Sequence, residues 1–282
     1  GSEMCIRDSA CFVSAVNKFL KKGKFNGSIS FLITGDEEGL AINGTKKVVD
    51  YLKRKNEKID FCIVGEPTNP SKLGEMIKIG RRGSLTGKIE ILGTQGHVAY
   101  PHLSNNPINT LISICKKLKE KKLDSGNKNF QPSNLEFTSI NVDNKAHNVI
   151  PARAKAQFNI RCNNFYNASN LKKKISSIAK NVCKLNKCKF KIEFIANGDS
   201  FLTKPEKTIF MAKKIIKKIT KMTPKFSTTG GTSDARFIRK IAPCLEFGLV
   251  NKTMHKVDEC VSLTDLKKLT KIYQNILEEY FK

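Results

Sequence analysis

No C-x-x-C pair, no apolar run of bilayer length and no secretory leader pattern occurs in this chain of 282 residues. The missing bilayer-length run argues against a membrane-spanning protein. The N-terminus lacks the basic segment, apolar stretch and small-residue cleavage site of a secretory leader, so a cytoplasmic location is expected. Nine cysteines are scattered singly (Cys5, Cys11, Cys62, Cys115, Cys162, Cys183, Cys188, Cys244 and Cys260), an odd count without paired spacing. That pattern excludes a disulfide framework and a thiolate zinc site. Several lie in apolar runs, such as Phe61-Cys62-Ile63-Val64, where cysteine acts as a small buried hydrophobe. Acidic residues are scarce: 25 Asp and Glu against 51 Lys and Arg leave a formal net charge of +26. No helix-turn-helix, zinc-finger or aromatic RNA-binding pattern accompanies this charge, and the lysines fall on the outer faces of expected helices. They read as solvated surface, so no nucleic-acid or membrane partner is expected, although the field favours an anionic small substrate.

The carboxylates that are present sit where strands end. Asp36-Glu37-Glu38 follows a strand expected at 28–34, and Glu66 follows one expected at 60–64. In an open α/β sheet, reacting groups gather just beyond the carboxyl ends of strands. Three carboxylates placed there repel one another unless a cation lies between them, and a divalent metal supplies that cation. Together with His255 they form an oxygen and imidazole donor set suited to zinc-type metals. A metallohydrolase follows as the leading expectation, against the alternative of acidic surface loops.

The order of elements predicts two domains. Strand, helix and strand at 28–34, 45–55 and 60–64 suggest a parallel sheet with crossover helices. From residue 83 the order becomes strand 84–92, helix 107–121, strands 134–142 and 153–162, helix 168–185 and strand 188–195. That is the βαββαβ order of a ferredoxin-like unit inserted in a larger α/β domain. The first pattern then resumes, with helix 207–222 after Pro205, a Gly-rich turn at 228–233, strand 244–249 and helix 262–281. The expected division is 1–82 with 197–282, and 83–196. Residues 1–9 show no apolar periodicity and read as a remnant joined to a helix at 10–20. A doubly wound domain is expected to place strands before that helix, so the chain reads as truncated.

Other residues carry weaker chemical signals singly. His97 and His102 lie in a loop between strand and helix, where histidine serves metal binding, proton transfer or oxyanion stabilisation, or simply a surface hydrogen bond. Arg81 and Arg161 offer guanidinium groups that match carboxylates bidentately. The turn Gly230-Gly231-Thr232-Ser233 opens a helix and is either an anion cradle or an ordinary cap.

Taken together, the segments ITGDEEG (33–39), CIVGEPT (62–68), GRRGS (80–84), GHVAYPH (96–102), HNVIP (147–151), FNIRC (158–162), TTGGTSDARF (228–237) and HKVDE (255–259) resemble the succinyl-diaminopimelate desuccinylase family. That family lies in the superfamily of two-zinc aminoacylases and carboxypeptidases. The resemblance runs from residue 10 to the C-terminus. It implies a doubly wound zinc-hydrolase domain with the inserted unit as lid and dimerisation domain. It also implies hydrolysis of N-succinyl-LL-2,6-diaminopimelate in lysine biosynthesis by a homodimer holding two Zn2+ per subunit, with Co2+ as a substitute. Glu37 would be the general base, Glu38 and His255 would bind one zinc, and Glu66 the other. His97 would stabilise the oxyanion in the partner subunit's site. Arg81, Asn148, Arg161 and the turn Gly230, Gly231, Thr232 and Ser233 would hold the substrate carboxylates.

One departure matters. The family also uses a His-x-Asp motif, absent here, and a later bridging aspartate that would fall near Met4, with Asp8 nearby but out of register. Weak zinc binding and little activity are therefore expected. Two alternatives stay open: a related N-acyl-amino-acid deacylase or metallopeptidase, and a metal-poor dimeric binding module without catalysis.

Overall fold

The computed structural model describes residues 3–39, 41–120 and 122–282, and for residues 3–5 the backbone only. The chain divides into two compact units, Gly1–Arg81 with Phe201–Lys282, and Arg82–Ser200.

The first unit opens on α1 (Glu3–Leu20), α2 (Thr45–Arg54) and three short strands, β1 (Cys62–Val64), β2 (Met76–Lys78) and β3 (Gly80–Arg81). The helix thus starts seven residues before the expected 10–20. Residues 3–9 continue it with an inverted pattern: Ile6 is 63% exposed while Asp8 is fully buried. Periodicity of apolar residues cannot show a turn whose buried member is a carboxylate.

The inserted unit holds β4 (Gly83–Leu92), β5 (Gly96–His97), α3 (Pro107–Glu120), β6 (Asn134–Asn141), β7 (Val149–Ile150), β8 (Arg153–Cys162), α4 (Ala168–Leu185) and β9 (Lys189–Gly198). Its four long strands form one antiparallel sheet in the order β6-β8-β4-β9. The alternation in 153–162 sends Ala154, Ala156, Phe158, Ile160 and Cys162 to the buried face, against Leu111 and Ile114 of α3 and Leu171 and Ile175 of α4. Gly87 on β4 lies opposite Phe158, whose ring occupies the space of a side chain there, at 2.2 Å from an ideal Cβ. β5 and β7 pair by themselves and carry the loop of His97.

The chain then returns to the first unit with β10 (Phe201–Leu202), α5 (Lys207–Thr220), β11 (Lys225–Ser227), α6 (Ala235–Ile238), β12 (Cys244–Glu246) and α7 (Leu263–Tyr280). β10 pairs with β3, and the larger sheet runs β1-β12-β2-β11. Residues of β1 and β12 alternate between two cores. Ile63 and Leu245 face α5, α7 and α1, whereas Cys62, Val64 and Cys244 face α2 and α6. Helices on both faces make the sheet doubly wound.

Two expectations about this sheet need correction. It is mixed: β1 with β12 and β2 with β11 are parallel, but β12 meets β2 antiparallel. The connection from β1 to β2 contains no helix, so no crossover carries β2 back into the direction of β1. Residues 28–34 form no strand, and Phe31, Leu32 and Ile33 are exposed. Their apolar alternation gives them a face to bury, but a strand exists only through a ladder, and none joins them to a neighbour among the described residues.

The eight described cysteines are free thiols, and burial pushes Cys62 up to about 11, which suits packing rather than reactivity. Among the described residues no helix is long and apolar enough to cross a membrane.

Candidate metal and substrate site

In the first unit Glu66 lies beyond the end of β1, and Glu246 at the end of β12, Glu37 before α2 and Asp8 on α1 act on it. Glu66 lies two residues after β1, and the tight turn around it exists because Gly65 and Gly248 leave room for α1. A Cβ at Gly248 would stand 2.1 Å from Asp8 Oδ2 and 2.5 Å from the Glu66 carbonyl oxygen. The second neighbour is backbone, which cannot swing away. Gly248→Ala is therefore expected to cost about 1–3 kcal/mol, in the range of overpacked cores, read as a lower urea midpoint at unchanged slope.

Burial is the main reason that the Glu66 carboxyl is pushed up to about 8. Glu246, Glu37 and Asp8 add to the shift, and Arg81 offsets part of it. Burial likewise raises Asp8 well above the usual carboxylate range, tempered by the backbone of Leu249. Neither Asp8 oxygen has a hydrogen-bond partner of good geometry. Three carboxylates around one buried carboxyl form a locus of excess negative potential, which either protons or a cation must relieve.

The segment at 36–39 brings the remaining acidic groups. Asp36 holds a left-handed backbone (φ 139°), and its carboxylate accepts from the amides of Ile42 and Asn43 at 2.7 and 2.8 Å. It shapes the loop that presents its neighbours. Glu37 is half-buried and its carboxyl is raised, first by burial and then by Asp234 and Glu38, against the pull of Arg236 and Arg81. Glu38 is exposed and lies 3.7 Å from His255 Nε2. His255 takes a positive φ of 59° in the turn before α7. Two ligands of one zinc stand roughly 3.4 Å apart for metal–ligand bonds near 2.1 Å in a tetrahedron, so this pair is close to one edge of such a site. The donors therefore fit a metal in kind and in local charge. Among the described residues, however, no group of three or more His, Cys, Asp or Glu is arranged to hold an ion.

Arg81 sits at the base of the 228–233 turn. Its Nε donates to both Glu246 oxygens at 3.1 and 2.9 Å, and Nη2 joins the same carboxylate. Nη1 reaches the carbonyls of Thr229 and Gly231, both at 3.4 Å. A direct grip on a substrate carboxylate requires Arg81 to exchange these bonds. Ser233 is fully buried, and its hydroxyl donates to Glu246 at 2.7 Å. Gly230 and Gly231 are exposed and Thr232 is half-buried, so these three residues form the outer rim of the turn.

His97, Asn148 and Arg161 belong to the inserted unit. The Asn148 carbonyl accepts from the Val98 amide at 3.1 Å, which ties the two loops together. His97 Nδ1 accepts from the Ala99 amide at 3.1 Å, which leaves the ring proton on Nε2, on an exposed imidazole. His102 stands edge-on to Tyr100 in the same loop. Arg161, half-buried on β8, adds its charge to that of Arg82.

Sequence reasoning missed Glu246, Lys78 and Asp234, and it set Asp8 aside. Glu246 and Lys78 were visible as single charges inside apolar strands, the signal that a buried partner must exist. Asp8 lay in the segment read as a remnant.

Glu66 beyond the end of β1 in a doubly wound sheet, and Glu38 beside His255, are the geometry of a candidate metal site. Residues 4–279 match the model of peptidase family M20/M25/M40, and the chain belongs to that family. It is 65% identical over 273 residues to the succinyl-diaminopimelate desuccinylase of Pelagibacter ubique (strain HTCC1062), covering 96% of this chain and 71% of that one. The enzyme of the same name from Methylobacterium radiotolerans is 50% identical over 275 residues, covering 96% and 70%. Among solved structures, aminopeptidase PepT from Bacillus cereus superposes with a TM-score of 0.81 at 18% identity, over 98% of this chain and 70% of that one. An M20 family metallo-carboxypeptidase from Sulfolobus solfataricus gives 0.73 at 17% identity, over 97% and 75%. These two likenesses show the fold.

Proposed function

We propose that the chain carries the hydrolysis of N-succinyl-LL-2,6-diaminopimelate to succinate and LL-2,6-diaminopimelate, a step of lysine biosynthesis in the cytoplasm. The observation that carries this reading is the set of Glu37, Glu38, Glu66 and His255 in one unit, in a chain 65% identical to a desuccinylase. Zn2+, or Co2+ in its place, is the cofactor that suits these donors, with Glu38 and His255 as ligands of one ion and Glu66 of a second. A bound metal polarises the amide carbonyl and eases deprotonation of water.

The chain's own residues do the rest. Glu37, raised by burial beside Asp234 and Glu38, takes the proton of the attacking water on a carboxylate oxygen and returns it to the departing amine nitrogen. His97, with its proton on Nε2, donates to the developing oxyanion in the site of a partner copy. The inserted unit is then the lid and dimerisation domain of a homodimer. The rim Gly230, Gly231 and Thr232, with Ser233, Arg81 and Glu246 as its support, receives a substrate carboxylate, and within the inserted unit Asn148 and Arg161 are the residues assigned to substrate carboxylates.

Because the described donors make only part of a two-metal cage, turnover is expected to be low. Succinate release with added zinc should be detectable, at least tenfold below that of the Pelagibacter relative, and absent in Glu37→Gln. Equal release from the N-acetyl analogue would favour a general deacylase. Tight binding of substrate without zinc and without cleavage would favour a binding module.

A further inference from the structure

Asn69 follows Glu66 by three residues and is fully buried. Its Nδ2 donates to the Gly248 carbonyl at 2.7 Å, and its Oδ1 accepts from the amides of Gly74 and Met76 at 3.1 and 3.0 Å. Its own amide donates to the Leu249 carbonyl at 3.3 Å, and its carbonyl accepts from the Asn251 amide at 2.8 Å. Thr68 works beside it. The Thr68 hydroxyl donates to the Met76 carbonyl at 3.2 Å and accepts from the Gly248 amide at 3.3 Å. Side chains of residues 68 and 69 therefore hold both backbone groups of Gly248.

A buried asparagine with all its bonds made often does no more than fix a turn. Asn69 differs in where its bonds go. Its Oδ1 closes the turn of its own loop, at 69–76. Its Nδ2 and its backbone cross instead to the chain leaving β12, at Gly248, Leu249 and Asn251. That chain runs on to His255: the Asn251 carbonyl accepts from the Met254 amide at 3.2 Å, one residue before the histidine. Gly248 is also the residue whose missing side chain leaves room for the Glu66 carbonyl and for Asp8.

We propose that Asn69 is a positioning residue for the metal site: its side chain locks the Glu66 loop to the segment leading to His255, and so sets the spacing of donors that come from two strand ends. This rests on the metal-dependent reading and adds a residue to it. Neither Glu66 nor His255 is linked to the other by a regular ladder, so their relative placement depends on such cross-bonds. Groups that orient metal ligands from behind change metal affinity by about 10–100-fold when removed.

The test is a Co2+ titration at pH 7.5, read by visible absorption, at a temperature where urea curves show every variant folded. Asn69→Ala is expected to weaken Co2+ binding by about tenfold or more and to alter the absorption band. Asn69→Asp keeps the bonds from Gly74 and Met76 but cannot donate to Gly248 as a carboxylate. Its added negative charge alone would favour a cation, so weaker Co2+ binding in this variant reports the lost tie. Asn163→Ala is the matched control. Asn163 is equally buried, and it donates to Asp124 at 2.6 Å and accepts from the Phe165 amide at 3.0 Å, but it lies in the inserted unit. It should lower the urea midpoint while leaving Co2+ affinity and spectrum as in the parent. Should Asn69→Ala not fold, the isosteric Asn69→Asp decides. Asn69 variants that fold and bind Co2+ with the parent's affinity and band overturn the inference and leave the metal reading standing. A parent chain that takes up no Co2+ overturns both.

Discussion

Replacing Glu246 with Gln is expected to lower the stability of the metal-free chain by about 3–5 kcal/mol, the cost of breaking a buried ion pair on one side. Glu246 is 1% exposed and accepts from Arg81 Nε, Arg81 Nη2 and Ser233 Oγ. Glutamine keeps the size of the side chain but takes away the only carboxylate paired with Arg81 among the described ion pairs. Arg81 would then keep only its bonds to the Thr229 and Gly231 carbonyls, and Lys78 those to the hydroxyls of Ser227 and Thr229, with the paired carboxylate gone. The natural control is Glu136→Gln, whose pair with Lys119 lies in solvent and contributes at most about 1 kcal/mol. Urea unfolding at constant slope measures both. A Glu246→Gln effect no larger than that of Glu136→Gln would mean that the network does not organise the turn.

The second large effect is on pH. An acid whose pKa is higher in the folded state holds a proton that the unfolded chain has already released. Stability then falls as pH rises between the two values, by about 1.4 kcal/mol per pH unit for each such group. For Glu66 the window runs from the ordinary value of 4.5 to about 8. Across it the loss approaches about 5 kcal/mol, an order-of-magnitude figure. Asp8 acts in the same direction from 3.8 upward. The metal-free chain should therefore be most stable near pH 5 and weaken steadily towards pH 8, with the steepest part removed in Glu66→Gln. A saturating divalent cation should flatten the same curve, because it stabilises the ionised carboxylate in place of the proton. Stability that is flat or rising from pH 5 to 8 in the parent chain would show that Glu66 does not hold its proton in the fold.

The inserted unit was legible because its signals are local and strong. The alternation of 153–162 and the helical spacing of 168–185 each report a face that has a neighbour nearby in sequence, and the observed elements begin and end within a few residues of expectation. The first unit was harder for a physical reason. The alternation at 28–34 is real, but it describes what the segment would bury and carries no information on whether a strand stands beside it. At 3–9 the buried member is Asp8, so the pattern used to find helices was inverted.

The site shows the same division. As candidates, Glu66 was legible from its place after β1, and Glu37, Glu38 and His255 chiefly through the family resemblance. The base of the turn was not, because Arg81 and Glu246 are 165 residues apart and Lys78 and Thr229 are 151 apart. No local period links such pairs. Only the oddity of a charge inside an apolar strand marks them, and it does not name the partner.

The account stands on the claim that the carboxylates and His255 of the first unit are there to hold a metal. The most direct measurement is a zinc titration of the chain at pH 7.5, by calorimetry against a weak competing chelator, in parallel with Glu38→Gln, Glu66→Gln and His255→Ala. The account predicts weak saturable binding by the parent chain, reduced at least tenfold by His255→Ala and Glu38→Gln, with loss of a separate, weaker phase in Glu66→Gln. Zinc binding that is the same in all four proteins would contradict it.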